Sequence, residues 1–338
     1  MQAKFILSKK KVFEQVKVLE DLGLKVLYSY KTNREVGNVL QGKVDFSIHA
    51  KEEVDMINDK SRVWFFTQAE SEEELKDILD KNIRNFVVDN EVDLKRLLEV
   101  ISGRKIKINL SLRMKLQEHR VGSGKYFVYG MSSLKVNNFI EEISKNKFVE
   151  KLGVHIHRKS QNTSEWEIVE EIKDSLGNVL DKIDFLNLGG GLPVEYRGYS
   201  SKVLNYIFEK LRETKDFLAE KGIEVFIEPG RFVAGPAIKL ACEIIQVYDR
   251  TVVLNTTIYN CALDCVLTET KMLVEGELEN GTPYLLKGNS PTRDDIFRYS
   301  VKLKNPKVGD KIVFLNAGAY NYTTDFFGYK KLKTEIVD

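Results

Sequence analysis

The sequence predicts a parallel (β/α)8 barrel of the TIM type, followed by a β-rich C-terminal domain. Eight short apolar runs, rich in β-branched and aromatic residues, come before residue 236, and most segments between them repeat apolar residues at helical spacing. Eight strands that alternate with helices are typical of this barrel. After residue 236 the apolar runs are separated by turn residues and show no helical period. We therefore predict a barrel over residues 1–235 and a β domain over residues 236–338.

The predicted barrel strands follow one another along the first 230 residues. They cover residues 24–30, 43–48, 62–66, 85–89, 105–112, 151–157, 182–189 and 223–230. Ser8 stands where an N-cap is expected before the first helix, and Gly23 stands behind that helix. Residues 71–83 and 91–101 repeat apolar side chains at i, i+3, i+4 and i+7. The connection over residues 113–150 is long and polar, so an open, doubly wound sheet stays the alternative architecture.

Composition and charge restrict the classes of partner. The chain has 338 residues and a net charge of +2. A charge this small indicates neither nucleic acid nor an anionic membrane as a partner. No window holds the roughly 18 consecutive apolar residues that a membrane span needs, and the N-terminal residues lack the apolar core of a secretory signal. The cysteines, Cys242, Cys261 and Cys265, are odd in number and lack metal-ligand spacing. We expect a cytoplasmic protein that acts on a small molecule.

Residues with chemical potential lie at the C-terminal ends of four predicted strands, where barrel enzymes place their active sites. These residues are Lys31, His157, the glycines 189–191 and the run from Glu228 to Arg231. Each has an ordinary explanation, such as a surface lysine, a strand imidazole, a tight turn or a strand end. Their occurrence together at the ends of strands one, six, seven and eight favours a functional site.

These residues could form either a metal site or a cofactor site. His155 and His157 alternate on one strand face, which suits a metal, but His49 and His119 show no matching pattern, so we predict no metal. A lysine amine can form a Schiff base with an aldehyde, and a glycine-rich loop with an arginine can bind phosphate. An imidazole can stack on a ring, and a carboxylate can hold a pyridine nitrogen protonated. This combination predicts pyridoxal 5′-phosphate as the cofactor.

Six segments in a fixed order resemble one enzyme family. They are YSYKTN, GVHIHRKSQ, NLGGGLP, EPGRFVAGPA, SPTRDD and NAGAYNYTTDFFGY. Together they resemble the fold-type III pyridoxal-phosphate decarboxylases, which include the ornithine, diaminopimelate, arginine and carboxynorspermidine decarboxylases and whose barrel is related to that of alanine racemase. The resemblance extends from about residue 24 to about residue 330. It implies a lyase of amino-acid or polyamine metabolism, active as a homodimer with sites shared across the interface.

The resemblance also implies a role for each matched residue. Lys31 would carry the cofactor as a Schiff base, His157 would stack on its ring, and Glu228 would pair with the pyridine nitrogen. These three are the implied catalytic residues. The other implied cofactor-binding residues, mostly around the phosphate, are Ser160, Gly190, Gly191, Gly230, Arg231 and Tyr320.

The substrate-binding residues are less clearly implied. Asp294 would reach across the dimer interface to the distal amine of the substrate, and Asp264 is a second candidate. Arg293 stands where the family usually has a cysteine that is thought to protonate the substrate carbon. A guanidinium is a poor proton donor but grips a carboxylate well. Either another group, such as Cys261 or Cys265, donates the proton, or the substrate carries an additional acid, or the activity differs.

Decarboxylation of an amino acid with a distal amine is therefore the leading hypothesis. A racemase on the same fold is an alternative, but related racemases pair the ring nitrogen with an arginine, and Glu228 argues against this. A non-catalytic carrier of the cofactor is another alternative. Such carriers resemble a bare barrel, so the β-rich region that contains Asp294 and Tyr320 argues against it. Ornithine, lysine, arginine, diaminopimelate and carboxynorspermidine all remain open as substrates.

Overall fold

Eight parallel strands form a closed barrel in the computed structural model, which describes residues 1–116 and 129–338. The N-terminal strand β1 (Lys4–Ser8) precedes the barrel. The barrel strands are β2 (Lys25–Ser29), β3 (Asp45–Ile48), β4 (Val63–Thr67), β5 (Asn85–Val88), β6 (Ile108–Arg113), β7 (Val149–His155), β8 (Phe185–Asn187) and β9 (Glu224–Ile227). Each overlaps one predicted strand. The residue His119 lies outside the described residues.

The closing contact of the barrel joins its first and last strands. Lys25 and Val26 of β2 pair in parallel with Phe226 and Ile227 of β9. Every other barrel strand pairs with its neighbour in chain order. The predicted barrel is therefore confirmed, and the open doubly wound sheet is wrong.

Helices connect the strands, and polar N-caps begin several of them. The helices are α1 (Lys9–Glu20), α2 (Arg34–Val39), α3 (Lys51–Val54), α4 (Glu72–Asp80), α5 (Glu91–Arg104), α6 (Ser133–Ile143), α7 (Ile168–Leu176), α8 (Leu204–Ala219), α9 (Arg231–Ala237), α10 (Ile258–Cys261) and α11 (Leu263–Leu267). Short 3-10 turns cover Tyr30–Thr32, Lys60–Arg62, Gly177–Lys182, Ser201–Val203 and Phe326–Gly328. Ser8 accepts from the Lys11 N–H, and Ser71 forms a capping box with Glu74, so side chains satisfy these helix ends. In the described residues, no helix has the length and apolar character that crossing a membrane requires.

The remaining strands form a separate mixed sheet, which confirms the predicted β-rich region after the barrel. They are β10 (Ile238–Tyr248), β11 (Thr251–Leu254), β12 (Leu273–Val274), β13 (Thr282–Lys287), β14 (Ile296–Leu303), β15 (Lys311–Leu315) and β16 (Lys333–Val337). Their order is β12-β15-β10-β11-β13-β14, and β1 pairs with both β10 and β16. The domain boundary at residues 235/236 stays a prediction. Strand β1 precedes the barrel in sequence but belongs to the C-terminal sheet.

The interior of the barrel is packed by large side chains. A buried cluster, separate from the main core, consists of Leu27, Trp64, Phe66, Val87, Phe185 and Phe226. The rings of Phe185 and Phe226 stack with centroids 4.8 Å apart. A Cβ placed on Gly153 of β7 would lie 2.3 Å from the Phe185 ring, so only glycine fits at this position. The ring is itself held by Trp64 and Phe226 and cannot move away easily.

We expect Gly153→Ala to lower the free energy of unfolding by about 1–3 kcal/mol, since it overpacks the barrel interior. Gly103→Ala is the matched control, because a Cβ there meets open space near the end of α5. That variant should leave stability unchanged or raise it by up to about 1 kcal/mol. Urea unfolding of both variants measures the difference. Equal stability of the two variants would contradict the tight packing around Phe185.

Candidate active site

A cavity opens at the C-terminal ends of the barrel strands, next to the C-terminal sheet. Its lining residues are Ser29, Lys31, His49, His157, Ser160, Gly190, Gly191, Leu192, Glu228, Gly230, Arg231 and Tyr320. We call it the strand-end cavity. All nine residues predicted to bind the cofactor line it, although they come from five separate stretches of the chain. Their individual roles stay predictions.

Lys31 lies in the single 3-10 turn that follows β2. Among the described residues, no hydrogen bond or ion pair engages its amine. Burial by surrounding atoms lowers the pKa of the amine, Glu228 opposes that effect, and Arg113 adds to it. A lowered pKa increases the fraction of neutral amine, which is the nucleophilic form.

The C-terminal segment, residues 318–322, holds the turn that carries Lys31. The Tyr320 N–H donates to the Thr32 carbonyl oxygen at 3.0 Å, and the Tyr322 hydroxyl donates to the Lys31 carbonyl oxygen. Tyr320 has a φ of +56°, in the left-handed region that a bulky side chain rarely adopts. Such strain persists only where surrounding contacts impose it, and here it brings the Tyr320 side chain into the strand-end cavity.

Glu228 provides a buried carboxylate at the end of β9. It is 4% exposed, and it accepts hydrogen bonds from Asn187 Nδ2 at 2.8 Å and His155 Nε2 at 3.2 Å. Burial alone raises the pKa of this carboxyl, but the effect of His155, with further contributions from His49 and His157, is larger and lowers the pKa to about 2. Glu228 is therefore ionised at neutral pH and suited to hold a ring nitrogen in its protonated form.

The glycines form a cradle in which backbone replaces side chains. Gly189 and Gly191 have φ values of +66° and +109°, and a Cβ on Gly190 would lie 2.9 Å from the Glu228 carbonyl oxygen. A Cβ on Gly230 would lie 2.1 Å from Thr32 Oγ1. Protein atoms already occupy the Cβ directions of Gly190 and Gly230, so these positions require glycine, and glycine loops of this kind can present backbone N–H groups to an anion.

Arg231 adds a buried positive charge beside this cradle. Its Nη1 and Nη2 donate to the two carboxylate oxygens of Asp264 at 2.6 and 2.8 Å. Nη1 also donates to the Tyr196 hydroxyl at 3.1 Å, and Nε donates to Ser160 Oγ at 3.2 Å. Burial alone lowers the pKa of Arg231, but Asp264 and Tyr196 raise it, so the guanidinium stays charged. Both oxygens of Asp264 are engaged, and this geometry does not support its predicted contact with a substrate amine.

His157 presents a neutral ring to the strand-end cavity. Its Nδ1 accepts the Gly190 N–H at 3.3 Å, and burial is the main reason that its pKa falls to about 3. One ligand atom each from His155, His157 and Glu228 lies within 4.8 Å of the others, so these three side chains could hold a metal ion. His155 Nε2 is already hydrogen-bonded to Glu228 Oε2, and His157 Nδ1 already accepts the Gly190 N–H. The absence of a metal stays a prediction.

His49 lines the strand-end cavity but was missed by sequence reasoning. Its ring stacks on Phe66 with centroids 4.5 Å apart, and its buried Nδ1 has no hydrogen-bond partner in the described part of the chain. Burial, followed by the charge of Lys31, lowers its pKa to about 3. His49 directly follows a predicted strand, so the strand-end rule that selected Lys31 could also have found it.

Arg293 and Asp294 do not reach the strand-end cavity within this chain. Their side chains are 90% and 67% exposed, and Arg293 Nε donates to Asp294 Oδ1 at 2.9 Å. Asp294 lines a different surface depression, together with Cys265. Cys261 and Cys265 are buried, and burial raises the pKa of both thiols, that of Cys265 to about 12. Neither thiol lines the strand-end cavity, so the suggestion that one donates the proton is not supported.

Comparison with known families agrees with this geometry. The family model described as pyridoxal-dependent decarboxylase, pyridoxal binding domain, matches residues 9–235, well over half of the chain. The chain belongs to this family. Its cofactor is pyridoxal 5′-phosphate, and the residues of the strand-end cavity fit that group. Lys31 has an amine that could meet the aldehyde, Glu228 a buried carboxylate that could meet the ring nitrogen, and the glycine cradle a backbone surface that could meet the phosphate.

Individual relatives are more distant. The chain is 24% identical over 207 residues to the carboxynorspermidine/carboxyspermidine decarboxylase of Campylobacter jejuni, covering 55% of this chain and 53% of that protein. It is 23% identical to the diaminopimelate decarboxylase of Bacillus methanolicus, in an alignment that covers 78% of this chain and 67% of that protein. The crystal structure of lysine decarboxylase from Selenomonas ruminantium superposes with a TM-score of 0.85 at 20% identity. The superposition covers 99% of this chain and 92% of that chain. The fold is therefore shared, although the alignment to the first relative spans only about half of that protein.

The neutral histidines predict a specific dependence of stability on pH. His49 and His157 have pKa values of about 3 in the folded protein, against about 6.5 in an unfolded chain. Between these values the unfolded chain binds more protons, so stability is full above pH 6.5 and falls as the pH decreases toward 3.

We expect the cofactor-free protein to lose stability between pH 7 and pH 5.5, and His157→Gln or His49→Gln to lose less over the same interval. The carboxyl of Glu228 titrates below this window and does not contribute. Urea unfolding at the two pH values measures the loss, with Gly103→Ala as a control that should behave like the wild type. A variant that loses as much stability as the wild type would show that its histidine is not held neutral by the fold.

Proposed function

We propose that the protein decarboxylates an amino acid that carries a distal amine. One observation carries the proposal: the Lys31 amine, which has no partner among the described residues, and the buried carboxylate of Glu228 line the same cavity, beside the glycine cradle. Pyridoxal phosphate, when bound, supplies an electron sink for the bond that loses CO2. The named relatives act on carboxynorspermidine, diaminopimelate and lysine, all of which carry a second amine.

Each residue of the strand-end cavity has a distinct task in this proposal. Lys31 would hold the cofactor aldehyde through its amine and release it to the α-amine of the substrate. Glu228 would keep the ring nitrogen protonated, because Asn187 and His155 fix its two oxygens. His157 would stack on the ring as a neutral imidazole and so add no positive charge beside it.

The substrate end of the site requires a second copy of the chain in our proposal. Asp294 is exposed, and the same region exposes large apolar side chains, Leu267 at 72% and Tyr299 at 64%. Exposed apolar groups of this kind are typical of a protein interface. A two-fold dimer would place Asp294 and Arg293 of one subunit at the strand-end cavity of the other. There Asp294 would bind the distal amine, and Arg293 would select substrates with a second carboxylate.

The reaction is tested by measuring CO2 release from ornithine, lysine, arginine, diaminopimelate and carboxynorspermidine. At least one substrate should be turned over, and Lys31→Ala should reduce turnover at least about 1000-fold, since it removes the nucleophile. Lys43→Ala, an exposed lysine of the same barrel, should have no effect. Borohydride reduction followed by mass spectrometry should place the cofactor on Lys31. Interconversion of enantiomers without CO2 release would indicate a racemase, and bound cofactor without any turnover would indicate a carrier.

The shared site is tested with hybrids of two inactive variants. Lys31→Ala and Asp294→Ala each disable both sites of a homodimer, but a hybrid places both defects in one site and leaves the other intact. Complete subunit exchange should therefore restore about a quarter of the wild-type activity, because half of the dimers are hybrids with one intact site.

A control mixture combines Lys31→Ala with Glu228→Gln. Both residues belong to the same barrel, so every site in that hybrid keeps one defect and no activity should return. Equal recovery in the two mixtures, or none in either after verified exchange, would show that the site does not use Asp294 of a second subunit.

A further inference from the structure

We infer that Asp264 is a positioning residue for the phosphate anchor Arg231, and that it does not bind the substrate. The inference rests on the proposed function insofar as Arg231 meets the phosphate of the cofactor. Asp264 lies in α11, outside the barrel, whereas Arg231 begins α9 directly after β9. The two side chains thus join the barrel to the region that follows it.

The contact is a bidentate ion pair removed from solvent. The two guanidinium nitrogens Nη1 and Nη2 each donate to a different oxygen of Asp264, at 2.6 and 2.8 Å. Arg231 is 6% exposed and Asp264 is 2% exposed. Parallel hydrogen bonds of this kind fix the plane of a guanidinium as well as its position, which a single contact cannot do.

The remaining donors of Arg231 are also fixed. A guanidinium has five N–H groups, and four of them donate to Asp264, Tyr196 and Ser160. Within the described residues, the second N–H on Nη2 has no hydrogen-bond partner, and Arg231 lines the strand-end cavity together with Gly190 and Gly191. An anion in the strand-end cavity therefore meets an oriented donor that does not have to be ordered on binding.

Asp264 also connects Arg231 to the segment that holds Lys31. The Asp264 backbone N–H donates to Asn321 Oδ1 at 3.0 Å, and Asn321 directly follows Tyr320 in the C-terminal segment. The ring of Tyr320 in turn lies 5.4 Å from the guanidinium carbon of Arg231. The phosphate end and the lysine end of the cavity thus share one network.

A substrate role for Asp264 conflicts with these contacts. A distal ammonium could bind its carboxylate only by displacing the guanidinium. That exchange would remove two charge-assisted hydrogen bonds from a buried guanidinium, which is strongly unfavourable. The carboxylate therefore serves Arg231.

The experiment compares two ligands that differ only in the phosphate, pyridoxal phosphate and pyridoxal, on cofactor-free protein. Asp264→Asn keeps the shape of the side chain but loses the charge and one acceptor. It should weaken pyridoxal phosphate binding about tenfold or more, the worth of a hydrogen bond between charged groups. Pyridoxal binding should change by less than about twofold, as for a distant site. Asp249→Asn, an exposed aspartate in the turn between β10 and β11, is the matched control and should alter neither affinity.

A double-mutant cycle with Arg231→Met tests whether Asp264 affects pyridoxal phosphate binding through Arg231. It also distinguishes this effect from a general loss of folding in Asp264→Asn. In the Arg231→Met background, adding Asp264→Asn should leave the ratio of the two affinities unchanged, since Arg231 is the group through which Asp264 acts. At saturating cofactor, Asp264→Asn should keep the wild-type KM for the amino acid. An equal loss of both ligands, a further loss of pyridoxal phosphate in the double variant, or a raised KM alone would overturn the inference. Binding of pyridoxal phosphate and CO2 release by the wild type test the proposed function separately.

Discussion

The backbone of the Lys31 turn is the constraint on which the rest of the site depends. On the barrel side, the Ser29 N–H donates to the Pro229 carbonyl oxygen at 3.2 Å, which ties the end of β2 to the end of β9. On the other side, the Tyr320 N–H and the Tyr322 hydroxyl donate to two carbonyl groups of the turn. Because both supports act on the backbone, the amine of Lys31 is positioned without using its own hydrogen-bonding capacity. A reactive group held by its neighbours in this way is preorganised for chemistry.

Charge in the strand-end cavity is kept at a few separated points. Glu228 is ionised at one end and is balanced by hydrogen bonds from Asn187 and His155. Arg231 is charged at the other end and is balanced by Asp264. Between them, burial lowers the pKa of His157 and holds its ring neutral, and its Nδ1 accepts the Gly190 N–H. This separation lets a cofactor with a basic ring nitrogen and an acidic phosphate find opposite partners at its two ends.

The barrel and most of the cavity could be predicted because they depend on local patterns. Strand periodicity located β2 to β9, and the rule that barrel sites lie at strand ends selected Lys31, Glu228 and the glycines. The partner of Asp264 is 33 residues away and belongs to another structural unit, so no local pattern revealed that its carboxylate is occupied. Arg293 and Asp294 lie outside the cavity of their own chain, and any role there depends on a second subunit that one sequence cannot position.

The pairing of β1 has a consequence for the order in which the chain can fold. Lys4 pairs with Ala241 and with Lys333, so the first strand finds its neighbours only among residues that follow the barrel in sequence. The barrel strands, by contrast, pair mostly with the next strand along and can assemble as they emerge from the ribosome. Contacts between distant parts of a chain form slowly because a long loop must close first. The N-terminal strand therefore stays unpaired until β10 is available, and its pairing with β10 and β16 links the start of the chain to the sheet that follows the barrel.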